Sequence, residues 1–181
     1  MKFVSVLLMA LLMTALGFSG QAQAQSGLLF SPSVMFFSYQ DRDGGSDIAK
    51  VDAQYIDVRL GYITSMNLYV GGLYTQMKRE DGTTNRERTS MGASAGLVYN
   101  RFFLIGHYIL SSEFEISSGS SLEDGTGVQV DLGYWFNVSG SFYAGPQVVY
   151  RKIDYDKKNG VAVQDSNSKE TVPYLSLAFI F

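Results

Sequence analysis

Cysteine is absent from the 181 residues, so neither a disulfide framework nor a cysteine-ligated metal centre can be built. Proline occurs three times, and tryptophan and histidine once each. A basic surplus is also missing. Fourteen Lys and Arg stand against 17 Asp and Glu, a formal net charge of −3, which excludes the electrostatic footprint of a nucleic-acid partner. No Gly-rich phosphate loop, nucleophile elbow or metal-ligand cluster occurs, so no cofactor is implied. What is plentiful is glycine (19 residues), Phe (12) and Tyr (12). Aromatic side chains suit a pleated surface, and 46% apolar residues suffice for one folded domain. The composition therefore points to an all-β chain.

The N-terminus reads as an address. Lys2 precedes an apolar stretch, Val4–Phe18, and Ala22-Gln23-Ala24 forms an A-x-A cleavage site. The apolar stretch is shorter than the ~20 residues of a spanning helix. Residues 1–24 are expected to be a cleaved signal peptide, leaving 25–181 as one domain that leaves the cytoplasm. Nothing after residue 24 approaches a membrane-spanning helix.

Charge is distributed in blocks. Beyond residue 24, 26 of the 30 charged residues fall in 41–52, 78–88, 113–124 and 151–170. Block centres lie roughly 36 to 42 residues apart, the spacing of a repeated supersecondary unit. The blocks are rich in Gly, Asn and Ser and read as long polar loops of 10 to 20 residues. Each charge-poor stretch between blocks holds a short turn: Thr64-Ser65-Met66-Asn67, Asn100-Arg101, or Asn137-Val138-Ser139-Gly140. Eight strands result, near 28–40, 56–62, 68–77, 90–99, 102–112, 128–136, 142–151 and 171–181. Alternation supports them. Val128, Val130, Leu132, Tyr134 and Phe136 oppose Gln129, Asp131, Gly133 and Trp135, while Ile56, Val58, Leu60 and Tyr62 oppose Asp57, Arg59 and Gly61. Strands 28–40, 68–77 and 102–112 are apolar on both faces, so alternation leaves their register open. Pro32, Pro146 and Pro173 fall inside strands, where each removes a ladder donor; a bulge or break is expected at Pro146.

The composition of the two strand faces separates a soluble barrel from a membrane-spanning one. A soluble lipid-binding barrel carries Lys and Glu on its outer faces. Here the polar faces hold Gly, Ser and Gln with almost no lysine, and the only strand charges outside the blocks are Asp57, Arg59 and Asp131. Aromatics gather near the short turns (Tyr62, Tyr69, Tyr99, Phe102, Phe103, Tyr134, Phe136, Phe142, Tyr143) and near the blocks (Tyr39, Tyr74, Phe114, Tyr150, Tyr155). Two aromatic bands with alternating long and short connections are the pattern of a transmembrane β-barrel with a polar interior. The expected fold is an eight-stranded antiparallel up-and-down transmembrane β-barrel.

The C-terminus carries a resemblance. Leu175, Leu177, Phe179 and Phe181 place apolar residues at alternate positions before a terminal aromatic, and this looks like the insertion signal of bacterial outer-membrane barrels. With the signal peptide and eight strands, the chain resembles the small barrels of the OmpX and OmpA transmembrane-domain type. That resemblance implies a bacterial outer-membrane location with both barrel termini periplasmic, periplasmic chaperones and the barrel-assembly machinery during biogenesis, and lipopolysaccharide among the surrounding lipids. It does not imply a function, which resides in sites rather than folds. Nothing in the sequence demands more than a monomer.

Candidate chemistry is sparse. Asp57 and Arg59 share a strand face, and Asp131, Gln147 and Arg151 could join them in an interior polar network. Such a network reads as a plug of mutually satisfied charges, or alternatively as a narrow ion path; eight strands leave little bore. His107 has Ser111 on its expected face and Glu113 beyond. These are the ingredients of an acyl hydrolase, but Ile109 stands where lipid A deacylases carry serine, and a lone histidine is more often a packed or interior polar group. Glu113, Glu115, Glu123 and Asp124 make the third block acidic; carboxylates bind hard cations, yet a solvated rim explains them as well. Blocks two and four carry cations that could touch lipopolysaccharide phosphates. The expected function is a non-enzymatic surface barrel serving envelope integrity or surface interaction. A narrow pore, a lipid A-modifying hydrolase and a soluble lipid-binding barrel are the alternatives.

Overall fold

A computed structural model describes residues 26–43, 46–82 and 84–181, and the backbone alone at 40–43, 46–49 and 165. The signal-peptide reading of 1–24 lies outside the described residues. Nine antiparallel strands are present among them: β1 Gly27–Asp43, β2 Ser46–Ile63, β3 Leu68–Asp81, β4 Thr84–Tyr99, β5 Phe102–Ile116, β6 Ser120–Tyr134, β7 Phe136–Ser139, β8 Phe142–Lys158 and β9 Val161–Ile180. Consecutive strands pair from β1 to β6, β6 pairs with β8, β8 with β9, and β9 with β1. The sheet therefore closes into a ring of eight strands, with β7 a short continuation of β6 beyond Trp135. Among the described residues no helix is long and apolar enough to cross a membrane.

One end of the ring has the expected short turns. Asn67 lies at φ 64°, and Asn100 and Arg101 at 49° and 73°. Asn tolerates this left-handed region. Two consecutive positive φ values form the type I′ turn, whose twist matches the strands it joins. The other end differs from expectation. The charged blocks are not loops but the outer halves of the strands, and the pairings Asp43↔Ser46, Asp81↔Thr84, Ile116↔Ser120 and Lys158↔Val161 leave connections of two or three residues. Alternation is invisible there because both sheet faces meet polar surroundings. Lys78 pairs with Glu87 at 3.0 Å and Lys152 with Asp154 at 2.8 Å on the outward face, the cross-strand and same-strand pairs of a solvated ladder.

The sheet is inverted relative to a soluble domain. Leu60, Val70, Leu104, Leu132 and Leu175 point outward at 50–61% exposure, while Ser33, Asp57, Arg59, Gln129, Asp131 and Ser176 point inward at 0%. The three strands of open register are resolved by this division. Leu29, Tyr69, Phe103 and Ile105 fill an apolar floor with Ile63, Trp135 and Ile180 at the short-turn end. Their inner positions are apolar because they form this floor, which is why both faces looked alike. Tyr69 and Phe103 thus leave the expected outer aromatic band, and Phe114 and Tyr155 leave the other, packing inside with Ile109 and Ile153.

All three prolines sit at ladder defects. The β1–β2 ladder is continuous through Pro32, and β8–β9 through Pro146 and Pro173, so each missing donor faces the other neighbour. Opposite Pro146, the β6 strand breaks at Trp135, whose N–H instead donates to the Arg101 carbonyl. Along the β1–β9 seam, pairing skips the position of Pro32, where the Ser31 hydroxyl donates to the Leu177 carbonyl at 2.7 Å. The seam ends at Val34↔Leu175, two residues short of Pro173.

Inside, Gly61 and Gly71 face each other beneath the Tyr69 ring. A Cβ on Gly71 would sit 2.3 Å from the Leu60 carbonyl oxygen and 2.4 Å from the Tyr69 hydroxyl, and a paired backbone cannot yield. Gly71→Ala is expected to destabilise the ring by about 1–3 kcal/mol, read from urea unfolding in detergent micelles. Gly72→Ala, whose Cβ would have 3.7 Å to its nearest neighbour, should stay within about 0.5 kcal/mol.

Candidate functional site: an interior layer of paired charges

Above the apolar floor the ring is spanned by a polar layer. Inward positions of β2 supply Asp57 and Arg59, β6 supplies Gln129 and Asp131, and β8 supplies Gln147 and Arg151. Strand alternation delivers residues i and i+2 from β2 and β6, and i and i+4 from β8, where Val149 lies between on the same inward face. Arg151 makes a fork on Asp57, with Nη2 at 2.9 and 2.7 Å from the two carboxylate oxygens. Its Nε donates to Gln129 Oε1 at 2.5 Å and its Nη1 to Glu170 at 2.7 Å. Gln129 Nε2 lies 3.0 Å from Asp57 and 2.8 Å from Asp131, joining the two carboxylates.

Arg59 is the second cation. Its Nη1 donates to Asp131 at 3.2 Å. Around Nη2 lie Ser31, Ser33, Gln147 and Ser176 oxygens at 2.8–3.0 Å. A guanidinium nitrogen has two hydrogens there, so four acceptors share them. The aromatic floor completes the site: the guanidinium carbon stands 4.9 Å from the Phe103 ring centre and 5.8 Å from that of Trp135, within cation–π range. Trp135 Nε1 donates to Ser176.

The five residues expected to form an interior network, Asp57, Arg59, Asp131, Gln147 and Arg151, are thus brought together, each at 2% exposure or less. Gln129, Ser31, Ser33, Ser176 and Tyr174 belong to the same layer and were not singled out. Gln129 was legible on the polar face of its strand; the serines and Tyr174 lie on strands whose register or face alternation did not assign. Two positive and two negative charges cancel within the layer, and solvent does not reach them.

His107 lies at its edge. Nδ1 is 2.7 Å from Ser94 Oγ and Nε2 is 3.1 Å from Asp131 Oδ2, an ion-pair distance without hydrogen-bond alignment. The expected neighbour Ser111 is not on its face. Ladder register shifts between Met91 and Gly92, so Leu110 is an extra residue in β5 and Ser112, not Ser111, turns inward. A bulge of this kind reverses every later side chain. Ser94, His107 and Asp131 are each at 5% exposure or less, and the serine meets Nδ1 while the carboxylate meets Nε2, the reverse of the hydrolase triad.

Elsewhere, Leu175 and Phe181 are exposed at 53% and 71%, and Leu177 and Phe179 share their outward row. Phe179 stacks on Phe30 and Phe142 at 6.2 and 4.9 Å. Among the described residues no group of three metal-ligating side chains is assembled. Of the four cations in the second block only Lys78 faces outward; Arg79, Arg86 and Arg88 lie on the inward face.

No protein-family model matches the chain, and no curated protein matches it significantly. Solved structures similar to it include the outer membrane protein AlkL in lipid bilayers (TM-score 0.43, 11% identity, covering 91% of this chain and 94% of AlkL). The β domain of the Bordetella autotransporter BrkA gives 0.40 at 18% identity, over 86% of this chain and 70% of that one. Vibrio cholerae OmpT, an outer membrane protein, gives 0.35 at 15% identity; the match covers 86% of this chain and only 52% of OmpT. At such scores the likeness carries no argument.

Arg151→Ala would leave Asp57 buried without its cation. A loss of about 3–5 kcal/mol is expected, measured as the urea midpoint in detergent micelles. The double variant Asp57→Asn/Arg151→Gln should be more stable than the two single changes summed, by about 0.5–3 kcal/mol.

Proposed function

We propose that this chain is a monomeric, eight-stranded transmembrane β-barrel of the bacterial outer membrane, of the small OmpX/OmpA-like type. Its role is non-enzymatic: it contributes to envelope integrity or surface interaction through four projecting hairpins, with its interior plugged. The single observation that carries this reading is the inverted sheet, apolar outside and charged inside. A soluble ring would reverse both. Outward aromatics support it. Tyr62, Tyr99 and Phe102 are 53–63% exposed near the short turns, and Tyr74, Tyr108 and Tyr150 are 40–55% exposed farther from the turns. On β5 six residues separate Phe102 from Tyr108, on the order of 20 Å of strand, with Leu104 between them on the outward face. Closure leaves no edge within that belt, and the strands of 14–20 residues exceed the ~9–11 that cross hydrocarbon.

On this reading the short turns and both termini are periplasmic, and the outer strand halves stand in the lipopolysaccharide layer. Leu175, Leu177, Phe179 and Phe181 form the signal for the barrel-assembly machinery, to which periplasmic chaperones deliver the chain. The neutral layer of Asp57, Arg59, Asp131, Gln147 and Arg151 serves as the plug. Burial of Ser94, His107 and Asp131 gives an acyl chain no access, which supports a non-enzymatic role.

The test is the outer-membrane fraction run on a gel with and without boiling. A mobility shift on boiling is expected; recovery in the soluble fraction without a shift would overturn the reading. In a Trp135→Phe background, Leu104→Trp should be quenched strongly by brominated lipid, whereas Trp135 in the unaltered chain should not.

A further inference from the structure

The inner wall beyond the plug is divided into an apolar half and a cationic half. Ladder register places Phe37, Ala53, Arg79 and Arg86 side by side in one inward row, and Met35, Tyr55, Met77 and Arg88 in the next. Arg79 and Arg86 are directly opposed, an arrangement of like charges that destabilises a ladder. Only two carboxylates answer the three arginines among the described side chains. Asp81 lies 3.4 Å from Arg79. Glu170 pairs with Arg88 and is shared with Arg151. Arg86 has no carboxylate within 4.0 Å among the described residues. The Nε atoms of Arg79, Arg86 and Arg88 are all buried without a hydrogen-bond partner, and Arg88 is 1% exposed. Buried donors left unpaired are costly, and an arginine fork matches a carboxylate or phosphate.

The adjoining wall is apolar and open. Met35 and Tyr55 pack on Val149, Val172 and Tyr174. Phe37 faces the interior yet is 46% exposed, so the interior is unfilled at this level. The β1–β9 ladder has ended at Val34↔Leu175, which leaves a cleft in the wall beside Phe37.

We propose that this chamber binds an anionic amphiphile, a single apolar chain ending in a carboxylate or phosphate. Its head pairs with Arg86, flanked by Arg79 and Arg88, and its chain lies along Phe37, Met35 and Tyr55 toward the β1–β9 cleft. The bound anion supplies the charge that Arg86 lacks. The lysines cannot substitute, because Lys78 and Lys152 face outward and are already paired. Binding requires the closed ring but not its insertion in a membrane, which the boiling test reports separately.

The experiment is equilibrium dialysis of the refolded protein held in amphipol, with empty amphipol as blank. Four radiolabelled probes are compared: laurate, dodecyl phosphate, dodecanol and inorganic phosphate. Saturable binding of laurate, dodecyl phosphate or both is expected, at least tenfold tighter than dodecanol and inorganic phosphate. Preference between the first two separates a fatty-acid source from a phosphate headgroup. Arg86→Gln should weaken binding at least tenfold while the boiling shift is retained, since it removes an opposed charge rather than a partner. Phe37→Ser should weaken dodecyl phosphate more than inorganic phosphate, and Lys78→Gln should change nothing. Equal binding by Arg86→Gln and the unaltered chain, inorganic phosphate binding as tightly as dodecyl phosphate, or no saturable binding would overturn the proposal.

Discussion

Two arginines and two aspartates without access to water hold the middle of the ring. Removing such ions from solvent costs several kcal/mol each unless geometry and hydrogen bonds offset it. Here they do: Arg151 forks onto Asp57, Gln129 bridges Asp57 to Asp131, and Arg59 is supplied with four side-chain oxygens and an aromatic floor. The layer is neutral and fully enclosed. Much else depends on it, because an inverted sheet has no apolar core at this level and must fill its interior with groups that satisfy one another.

Closure imposes the second requirement. Every strand needs two neighbours, and the chain's three prolines each deny one donor. They are placed where the ladder is interrupted: beside the Trp135 break, at the gap in the β1–β9 seam, and just beyond that seam's end. The Ser31 hydroxyl and the Arg101 carbonyl serve two of the groups left over. The seam is thereby the most weakly tied junction of the ring, and the chamber lined by Phe37, Tyr55 and Arg86 lies next to it.

Legibility in the sequence followed the environment of each segment. Where the outward face is apolar and the inward face belongs to the polar layer, alternation was clean, and Asp57, Arg59 and Asp131 stood out as the only charges. Near the floor both faces were apolar, so Leu29, Tyr69 and Phe103 could not be distinguished from outward residues. In the outer strand halves both faces were polar, so paired strands read as loops, and the inward Arg79, Arg86 and Arg88 were indistinguishable from the outward Lys78. The bulge at Leu110 carried no local signal and misassigned Ser111 to the face of His107.

What the sequence by itself determined was the class and the scaffold: an all-β chain, strands joined by Asn-containing turns, and a small set of charges confined to polar faces. These are local properties, set by alternation and turn chemistry within a few residues. Only the tertiary structure decided which residues meet, because side chains 72 to 117 residues apart are brought together across the interior by register and closure rather than by spacing. Closure brought Tyr174 and Ser176 to the charges on β2, a bulge exchanged Ser111 for Ser112, and register set Arg86, which has no carboxylate partner among the described residues, in one row with an apolar wall.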